Sequence, residues 1–378
     1  MSPDAVWAEM KSEKNRVIAK LRGDLEKSFS MLGIKRVQGK AAFESKNSIT
    51  VETAQGKSSL PFDKAVIAAG SAPAFPPPTD QFLGQILNSD TIFEIERAPE
   101  SLVIVGGGAV GCEFACLFNA LGSKVTIIEK TGGLVPGEDP GIVQALRKIF
   151  EARGIEVFDS ITIEQLKREG SGWDIRLSNQ KEIKTEALLV CTGRRPETQF
   201  LNLDAAGIGT ERNRLILNDG LQTSNPNVYA AGDVTGLSLL AHSGTAQGEC
   251  AARNALGENV TYDGSLVPRC LYTWPEVASV GQWKEGAEKA GISVKGQRYF
   301  FQGSARALAE NQTDGFVQIL SHAETGKILG AQMIGPGAAE IIHILSVALK
   351  NQMTRDSLRE VIFAHPTFSE GIRWALER

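Results

Sequence analysis

Long apolar runs are missing from this sequence of 378 residues, and none approaches the roughly 18 residues of a transmembrane helix. The first 20 residues are charged and hold no apolar signal core, so the sequence predicts neither a membrane span nor secretion. Cysteine is scarce, and five scattered cysteines are typical of a reducing compartment and not of a disulfide scaffold. We therefore expect a cytoplasmic protein.

An excess of charge of one sign is also missing. Lys and Arg total 40 and Asp and Glu total 44, which gives a formal net charge of −4. This balance gives no reason to expect nucleic acid or an anionic membrane as a partner. Apolar residues make up 42% and charged residues 22%, which is typical of globular proteins, and the length suffices for two or three domains.

The order of predicted elements indicates an α/β fold with Rossmann-like domains and an α+β domain at the carboxyl terminus. A long amphipathic helix is predicted over residues 1–33, followed by short strands that include 34–37 and 64–68. Strands and helices alternate from residue 101, which predicts a parallel, doubly wound sheet. From residue 265 strands precede helices, which predicts the α+β domain.

One glycine-rich turn has the context of a dinucleotide site. Gly106, Gly108 and Gly111 fit G-x-G-x-x-G between the predicted strand SLVIV and a helix, where they permit a tight turn, a close approach to pyrophosphate and tight packing. Glu129 ends the next predicted strand, and a carboxylate there favours NAD over NADP because it repels a 2′-phosphate. The alternative is a glycine turn that only packs.

Two cysteines in the helix after this turn, Cys112 and Cys116, lie four residues apart and therefore on one helix face. That spacing allows a redox pair to be considered. Because no polar residues are arranged around them in the sequence, we interpret both as small core residues.

Four further segments, together with the glycine turn, resemble the pyridine nucleotide–disulfide oxidoreductases. They occur in the family's order and cover nearly the whole chain, and the versions found here are most similar to those of the dihydrolipoyl dehydrogenases. The segments are TGRRP at 192–196, TSNPNVYAAGD at 223–233, LYTWPEVASVG at 271–281 and AHPTFSE at 364–370.

This resemblance implies a division of the chain and a homodimer. Residues 1–98 and 197–263 would belong to an FAD-binding domain, residues 99–196 to an NAD-binding domain, and residues 264–378 to a dimerisation domain. The implied cofactors are NAD and FAD. Asp233 would hold the flavin ribityl chain, and the other residues implied at the cofactors are Gly70, Glu113, Gly193 and Gly232.

The resemblance also implies a catalytic pair near the carboxyl terminus. His365 would be the general acid/base, since imidazole has a pKa near neutrality, and Glu370 would orient the ring and stabilise the imidazolium. The alternative is a histidine that caps the last helix.

Two elements that open the chains of this family have no counterpart among the 378 residues, namely a first G-x-G-x-x-G unit for FAD and a C-x4-C dithiol. We therefore expect an amino-terminally truncated chain, with an incomplete FAD site, an unpaired sheet edge and no activity by itself.

The resemblance predicts the oxidation of dihydrolipoamide by NAD⁺ to lipoamide and NADH. The implied substrate is a small-molecule or lipoyl-domain disulfide, and the implied partner is a 2-oxo acid dehydrogenase complex. The alternatives are another NADH-dependent flavin disulfide reductase, or a non-enzymatic remnant that binds NAD or dimerises.

Overall fold

The computed structural model describes residues 2–377, and its elements confirm the predicted fold class. Met1 and Arg378, which belong to the first and last predicted segments, lie outside the described residues. The strands are β1 Lys40–Ser45, β2 Ser48–Thr53, β3 Gly56–Pro61, β4 Ala65–Ile67, β5 Ser71–Pro73, β6 Leu87–Asn88, β7 Ser101–Val105, β8 Lys124–Ile128, β9 Glu156–Phe158, β10 Ile163–Glu169, β11 Gly172–Leu177, β12 Glu182–Thr185, β13 Ala187–Val190, β14 Arg194–Pro196, β15 Thr210–Glu211, β16 Arg214–Leu215, β17 Val228–Ala230, β18 Arg269–Leu271, β19 Glu276–Gly281, β20 Val294–Phe300, β21 Phe316–His322 and β22 Ile328–Gly335. The α-helices are α1 Pro3–Met31, α2 Ala109–Ala120, α3 Pro140–Ala152, α4 Ala241–Ala255, α5 Lys284–Lys289, α6 Ala305–Ala309, α7 Ala338–Lys350, α8 Arg355–Arg359 and α9 Glu370–Leu376.

The chain divides into two compact units. The first contains Met1–Ala74 and Arg194–Gly264, and the second contains Phe75–Gly193 and Ser265–Arg378. The chain therefore passes between the units after residues 74, 193 and 264. The segment boundaries expected from the sequence, after residues 98, 196 and 263, stay predictions.

In the first unit, the long predicted helix is present but the strand expected after it is not. Helix α1 begins at the N-cap Ser2, whose hydroxyl accepts a hydrogen bond from an amide of the first turn, and it ends just before Gly33, which has a φ of 67°. The prediction of a strand at 34–37 is wrong, because pairing with β2 begins only at Lys40, opposite Glu52. Without a partner strand, the apolar side chains of 34–37 lie exposed.

The rest of the first unit consists of small sheets around one apolar core. Strands β1, β2 and β3 form an antiparallel sheet, β4 and β17 form a parallel pair, and β5 pairs antiparallel with β14. Phe43, Ile67 and Val228 contribute to the core from β1, β4 and β17. These pairings bring the residues that follow β4 and β17 close to the start of β14.

The second unit opens with the predicted doubly wound sheet. Its strand order is β6-β13-β7-β8-β9, and all neighbours are parallel. The central residues of β7 and β8 are buried, as expected for parallel strands covered on both faces. Val105 at the end of β7 lies opposite Ile128 at the end of β8, so the residues after these two strands share one edge of the sheet.

The carboxy-terminal part of the second unit is the predicted α+β domain. Five antiparallel strands in the order β18-β19-β22-β21-β20 pack against α7 and α9. Ile342 of α7, Ile372 of α9 and Met333 of β22 are fully buried in the shared core. No helix within residues 2–377 combines the length and the apolar character that a membrane span requires.

Candidate functional site

The glycine turn lies where the sequence predicts it, between β7 and α2, and its glycines differ in what surrounds them. A Cβ at Gly106 would lie 2.4 Å from the carbonyl oxygen of Cys191, and one at Gly111 would lie 2.0 Å from the carbonyl oxygen of Gly106. A Cβ at Gly108 would meet nothing within 4 Å. Two glycines are therefore required by packing, and the third leaves the outer side of the turn open.

Glu129 lies beside this turn, as the parallel register of β7 and β8 requires. The Gly107 amide donates to its Oε2 at 2.6 Å, and the amide and the hydroxyl of Thr131 both donate to its Oε1 at 2.7 Å. The residue is only 7% exposed. Three hydrogen bonds thus fix a buried carboxylate against the loop that would face a nucleotide.

The amino end of α2 is suited to an anion. Gly108 is the N-cap and supplies no side-chain cap, so the first amides of α2 are available to a ligand. These amides and the helix dipole favour a pyrophosphate at the open side of Gly108. The residues present therefore fit a dinucleotide.

The cysteines near the turn are suited to packing and not to redox exchange. Cys112 is buried and its thiol donates to the Gly107 carbonyl at 3.3 Å, while the Trp274 amide donates to Cys116 Sγ at 3.5 Å. Burial raises the pKa of both thiols, and it raises the pKa of Cys191 to about 12. Reactive thiols need the opposite shift, so this geometry favours the interpretation as core residues.

Glu113, which was implied at a cofactor, contacts a backbone amide of the carboxy-terminal domain. The Tyr272 amide donates to Glu113 Oε1 at 2.9 Å, just before the segment TWPE. Burial raises the pKa of Glu113, and the hydrogen bond from Tyr272 only partly offsets this effect. The structure thus assigns Glu113 a contact between α2 and the residues that follow β18.

Asp233, in the first unit, lies in a network that the sequence did not reveal. The Ser71 hydroxyl donates to Asp233 Oδ2 at 2.6 Å, and Arg194 Nε donates to that hydroxyl at 2.7 Å. Arg194 Nε also lies 3.9 Å from Asp233 Oδ2. The serine and the arginine come together because β5 pairs with β14.

Three implied glycines adopt backbone angles that favour glycine, with φ of 75° at Gly70, 117° at Gly193 and 78° at Gly232. A Cβ at any of these positions would meet nothing within 4 Å. Gly70 and Gly232 immediately precede Ser71 and Asp233 of the network. The open backbone and the fixed carboxylate fit a flavin ribityl chain at this place.

His365 and Glu370, which were expected to act as a catalytic pair, lie in contact near the carboxyl terminus. His365 Nδ1 lies 3.0 and 3.1 Å from the two carboxylate oxygens of Glu370, and the Thr367 amide donates to Glu370 Oε2 at 2.9 Å. The side chain of His365 is 69% exposed and that of Glu370 is 14% exposed. Nε2 is therefore the ring nitrogen that remains to exchange a proton.

The electrostatics of the pair favour an ionised carboxylate. Burial acts to raise the pKa of Glu370, but the Thr367 amide and His365 outweigh it, and the net effect is a lowered pKa. An ionised Glu370 accepts a hydrogen bond from Nδ1–H and so fixes the ring tautomer. Its position as the first residue of α9 adds a favourable interaction with the helix dipole.

Three residues that fix predicted site residues through hydrogen bonds were not predicted from the sequence: Ser71, Arg194 and Thr131. Ser71 and Arg194 stand next to predicted glycines, in AAGSAP and TGRRP, but neither motif shows that their side chains meet. Thr131 follows Glu129 by two residues and carried no signal beyond being a hydroxyl close to a predicted carboxylate.

Comparison with protein-family models finds two matches that cover most of the chain. Residues 2–248 match the family described as pyridine nucleotide-disulphide oxidoreductase. Residues 267–376 match its dimerisation domain.

Individual proteins of known family are similar to nearly the whole of this chain. Dihydrolipoyl dehydrogenase of Bacillus subtilis is 36% identical over 373 residues, which are 98% of this chain and 81% of that protein. The dihydrolipoyl dehydrogenase of Geobacillus stearothermophilus is 33% identical over 368 residues, with 96% and 78% covered. These matches do not support the expectation that the chain is truncated, incomplete at its FAD site and therefore inactive.

Solved structures give the same picture of the fold. LpdA from Mycobacterium tuberculosis superposes with a TM-score of 0.91 at 26% identity, covering 100% of this chain and 83% of that one. The HOCl-induced flavoprotein disulfide reductase RclA from Escherichia coli has a TM-score of 0.87 at 25% identity, covering 99% and 89%.

Proposed function

Since the chain belongs to the pyridine nucleotide-disulphide oxidoreductase family, whose members use FAD and NAD, we propose that it couples oxidation of dihydrolipoamide to reduction of NAD⁺. The dithiol loses two electrons and two protons, NAD⁺ gains a hydride, and one proton is released. The observation that carries the proposal is the His365–Glu370 pair, in which Nδ1 is engaged and Nε2 is left for a thiol proton.

The nucleotide would bind across the glycine turn. The pyrophosphate would lie at the open side of Gly108, on the amides of α2, and the ribose hydroxyls would donate to Glu129. A 2′-phosphate would meet the buried carboxylate, and the like charges would repel each other. We therefore expect NADH to bind more tightly than NADPH.

The acid/base step belongs to His365. Nε2 would take the proton from a substrate thiol whose sulfur attacks a disulfide, because the thiolate is the nucleophile in such exchange. A mixed disulfide forms as the original S–S bond breaks, and the second sulfur of that bond leaves as a thiolate. Glu370 would hold the neutral ring with its proton on Nδ1, so that Nε2 faces the thiol, and its charge would balance that of the imidazolium that forms. The Thr367 amide holds Glu370 in place.

The flavin site would be built on Asp233. When bound, FAD supplies the two-electron carrier between a dithiol and the nicotinamide. Ser71 and Arg194 hold the Asp233 carboxylate where the ribityl hydroxyls could donate to it. The open backbone at Gly70 and Gly232 allows close approach.

The spacing and the pKa of the five cysteines decide whether they can take part in disulfide exchange. No two of the five cysteines have C-x4-C spacing, and burial raises the pKa of every one of them. Exchange with a substrate disulfide needs a thiolate, which such thiols provide poorly. These thiols are therefore poor candidates for the exchange step, and the test below supplies a C-x4-C pair.

The partners we propose are a second copy of the chain and a lipoyl-bearing protein. The dimerisation-domain match and the exposed ring of His365 support a homodimer, in which a second copy completes the site. The names of the relatives support a lipoyl group as the source of the dithiol, and we propose a 2-oxo acid dehydrogenase complex as its carrier. A homodimer is tested by sedimentation of the purified protein, and a monomer at micromolar concentration would contradict it.

The proposed reaction is tested in a fusion that carries a first flavin glycine turn and a C-x4-C pair ahead of Met1. NADH formation from dihydrolipoamide is measured with matched His→Gln variants. His365→Gln should lower the rate by about 10²-fold, as expected for a positioned acid/base. His343→Gln, on the exposed face of α7, should leave it unchanged. A fusion that is loaded with FAD and indifferent to His365→Gln would contradict the assignment, and preference for a disulfide other than lipoamide would favour another reductase.

The nucleotide preference is tested on the 378 residues themselves. Calorimetric titration should give a lower dissociation constant for NADH than for NADPH, and Glu129→Ala should reduce the difference. Tighter binding of NADPH by the unchanged protein would overturn the proposed role of Glu129.

A further inference from the structure

Glu129 owes most of its fixed position to one neighbour. Thr131 supplies two of the three donors that reach the carboxylate, its amide and its hydroxyl, both at 2.7 Å from Oε1. The third donor, the Gly107 amide, reaches Oε2. Thr131 therefore fixes the orientation of the Glu129 carboxylate relative to the glycine turn.

The carboxylate is also packed against the turn. A Cβ placed on Gly107 would lie 3.2 Å from Glu129 Cβ and 3.0 Å from Leu134 Cδ2, so the stem of Glu129 lies directly against the Gly107 backbone. The Val135 amide donates to the Gly107 carbonyl at 2.7 Å. Because Cβ and Cγ of Glu129 pack against the turn, the carboxylate can move mainly by rotation about the Cγ–Cδ bond. The hydrogen bond from the Thr131 hydroxyl opposes that rotation.

We propose that Thr131 is a positioning residue that sets the preference for NADH over NADPH by fixing the carboxylate of Glu129. The inference rests on the nucleotide site proposed above. Discrimination against a 2′-phosphate needs a negative charge that cannot turn away from it. A hydrogen bond from a hydroxyl to a buried carboxylate supplies that restraint.

The backbone of Thr131 has a separate structural role. Its carbonyl accepts a hydrogen bond from the Ser160 amide at 2.9 Å, which ties the end of β8 to the loop after β9. This bond and the amide bond to Glu129 survive any side-chain replacement except proline. A change of the side chain therefore tests the hydroxyl alone.

The test is calorimetric titration of NADH and NADPH into the 378-residue protein and three variants. Thr131→Val keeps the shape of the side chain and removes the hydroxyl donor. The NADPH dissociation constant divided by the NADH dissociation constant should fall by about tenfold, as expected for loss of a hydrogen bond to a charged group. Thr131→Ser keeps the donor and should restore the ratio to within about twofold of the original. Thr185→Val, at the end of β12, is the control, because it removes a hydroxyl that donates to the Ala187 carbonyl 3.0 Å away.

The possible outcomes separate the two proposals. If the unchanged protein binds neither nucleotide or prefers NADPH, the nucleotide site itself is wrong. If it prefers NADH and Thr131→Val weakens both nucleotides equally, Thr131 is only structural and the inference is overturned. Should Thr131→Val fail to fold, as judged by circular dichroism, Thr131→Ala takes its place with the same expected ratio.

Discussion

The nucleotide turn and the His365–Glu370 pair both lie in the second unit, but they differ in how strongly the surrounding residues bury and fix their functional groups. At the turn, Glu129 is 7% exposed and accepts three hydrogen bonds, and two glycines lie against backbone oxygens. At the pair, Nδ1 of His365 meets Glu370, but the side chain is 69% exposed. At the turn the carboxylate and the glycines are fixed in place before any ligand arrives, whereas the pair presents its reactive nitrogen to solvent.

This difference follows from what each site has to do. A nucleotide is bound by amides and a carboxylate whose positions must be set in advance, since rearrangement would reduce the affinity. A proton-transfer group has to be reached by the substrate, so its reactive atom cannot be packed away. Rigidity at the turn and accessibility at the pair can be tested separately.

The largest effect is expected from Gly111→Ala, which disrupts the packing of the glycine turn. The new Cβ would lie 2.0 Å from the Gly106 carbonyl oxygen, a backbone atom that cannot move without opening the turn. We expect the free energy of unfolding to fall by about 3 kcal/mol and NADH affinity to fall by about 10²-fold. Urea unfolding and calorimetry measure the two quantities.

Gly108→Ala is the matched control and should separate stability from binding. Its Cβ meets nothing within 4 Å, so the free energy of unfolding should change by about 1 kcal/mol or less. The methyl group would nevertheless occupy the side from which a pyrophosphate approaches, and NADH binding should weaken by about tenfold or more. Unaltered NADH binding by Gly108→Ala would show that the nucleotide does not lie there.

A smaller effect is expected from Glu370→Gln, which tests the exposed pair and not the buried turn. In the dithiol-bearing fusion the rate should fall by about tenfold, less than for His365→Gln, because orientation is only part of the acid/base effect. Nitrogen NMR of the imidazole should also show a loss of the Nδ1–H tautomer. Glu377→Gln, which removes an exposed contact with Arg373 on the same helix, should change neither quantity. An unchanged tautomer in Glu370→Gln would contradict the orienting role.

The parts of the site that could be predicted are those that depend on local spacing or on strand register. Parallel β7 and β8 end at one edge of the sheet, so Glu129 had to lie near Gly106 and Gly107. The pair of His365 and Glu370 was implied by the family resemblance, and both residues belong to one short segment around a turn, so their contact does not depend on distant parts of the chain.

The parts that could not be predicted depend on contacts between distant segments or on weak local patterns. Ser71 and Arg194 meet only because β5 pairs with β14, and they are 123 residues apart in the sequence. Strand β3 is nearly all exposed and therefore has no apolar alternation to reveal it. Residues 34–37 show the opposite error, since an apolar pattern without a partner strand does not form a strand.

The smallest expected effect concerns the stability of the pair in acid. The Thr367 amide and His365 outweigh burial and lower the pKa of Glu370. A lowered pKa in the folded state stabilises the protein at pH values above the unfolded value of about 4.3, and this stabilisation is lost as the pH falls through the folded pKa. The difference in unfolding free energy between the unchanged protein and Glu370→Gln should therefore be about 1 kcal/mol near neutrality and should fade in acid below about pH 4. Repeating the measurement in the His365→Ala background removes the His365 contact and leaves the Thr367 amide and the charge of Arg373, so it isolates the contribution of His365. A difference that stays constant from neutral to acid pH would mean that the ionised carboxylate is not what stabilises this turn.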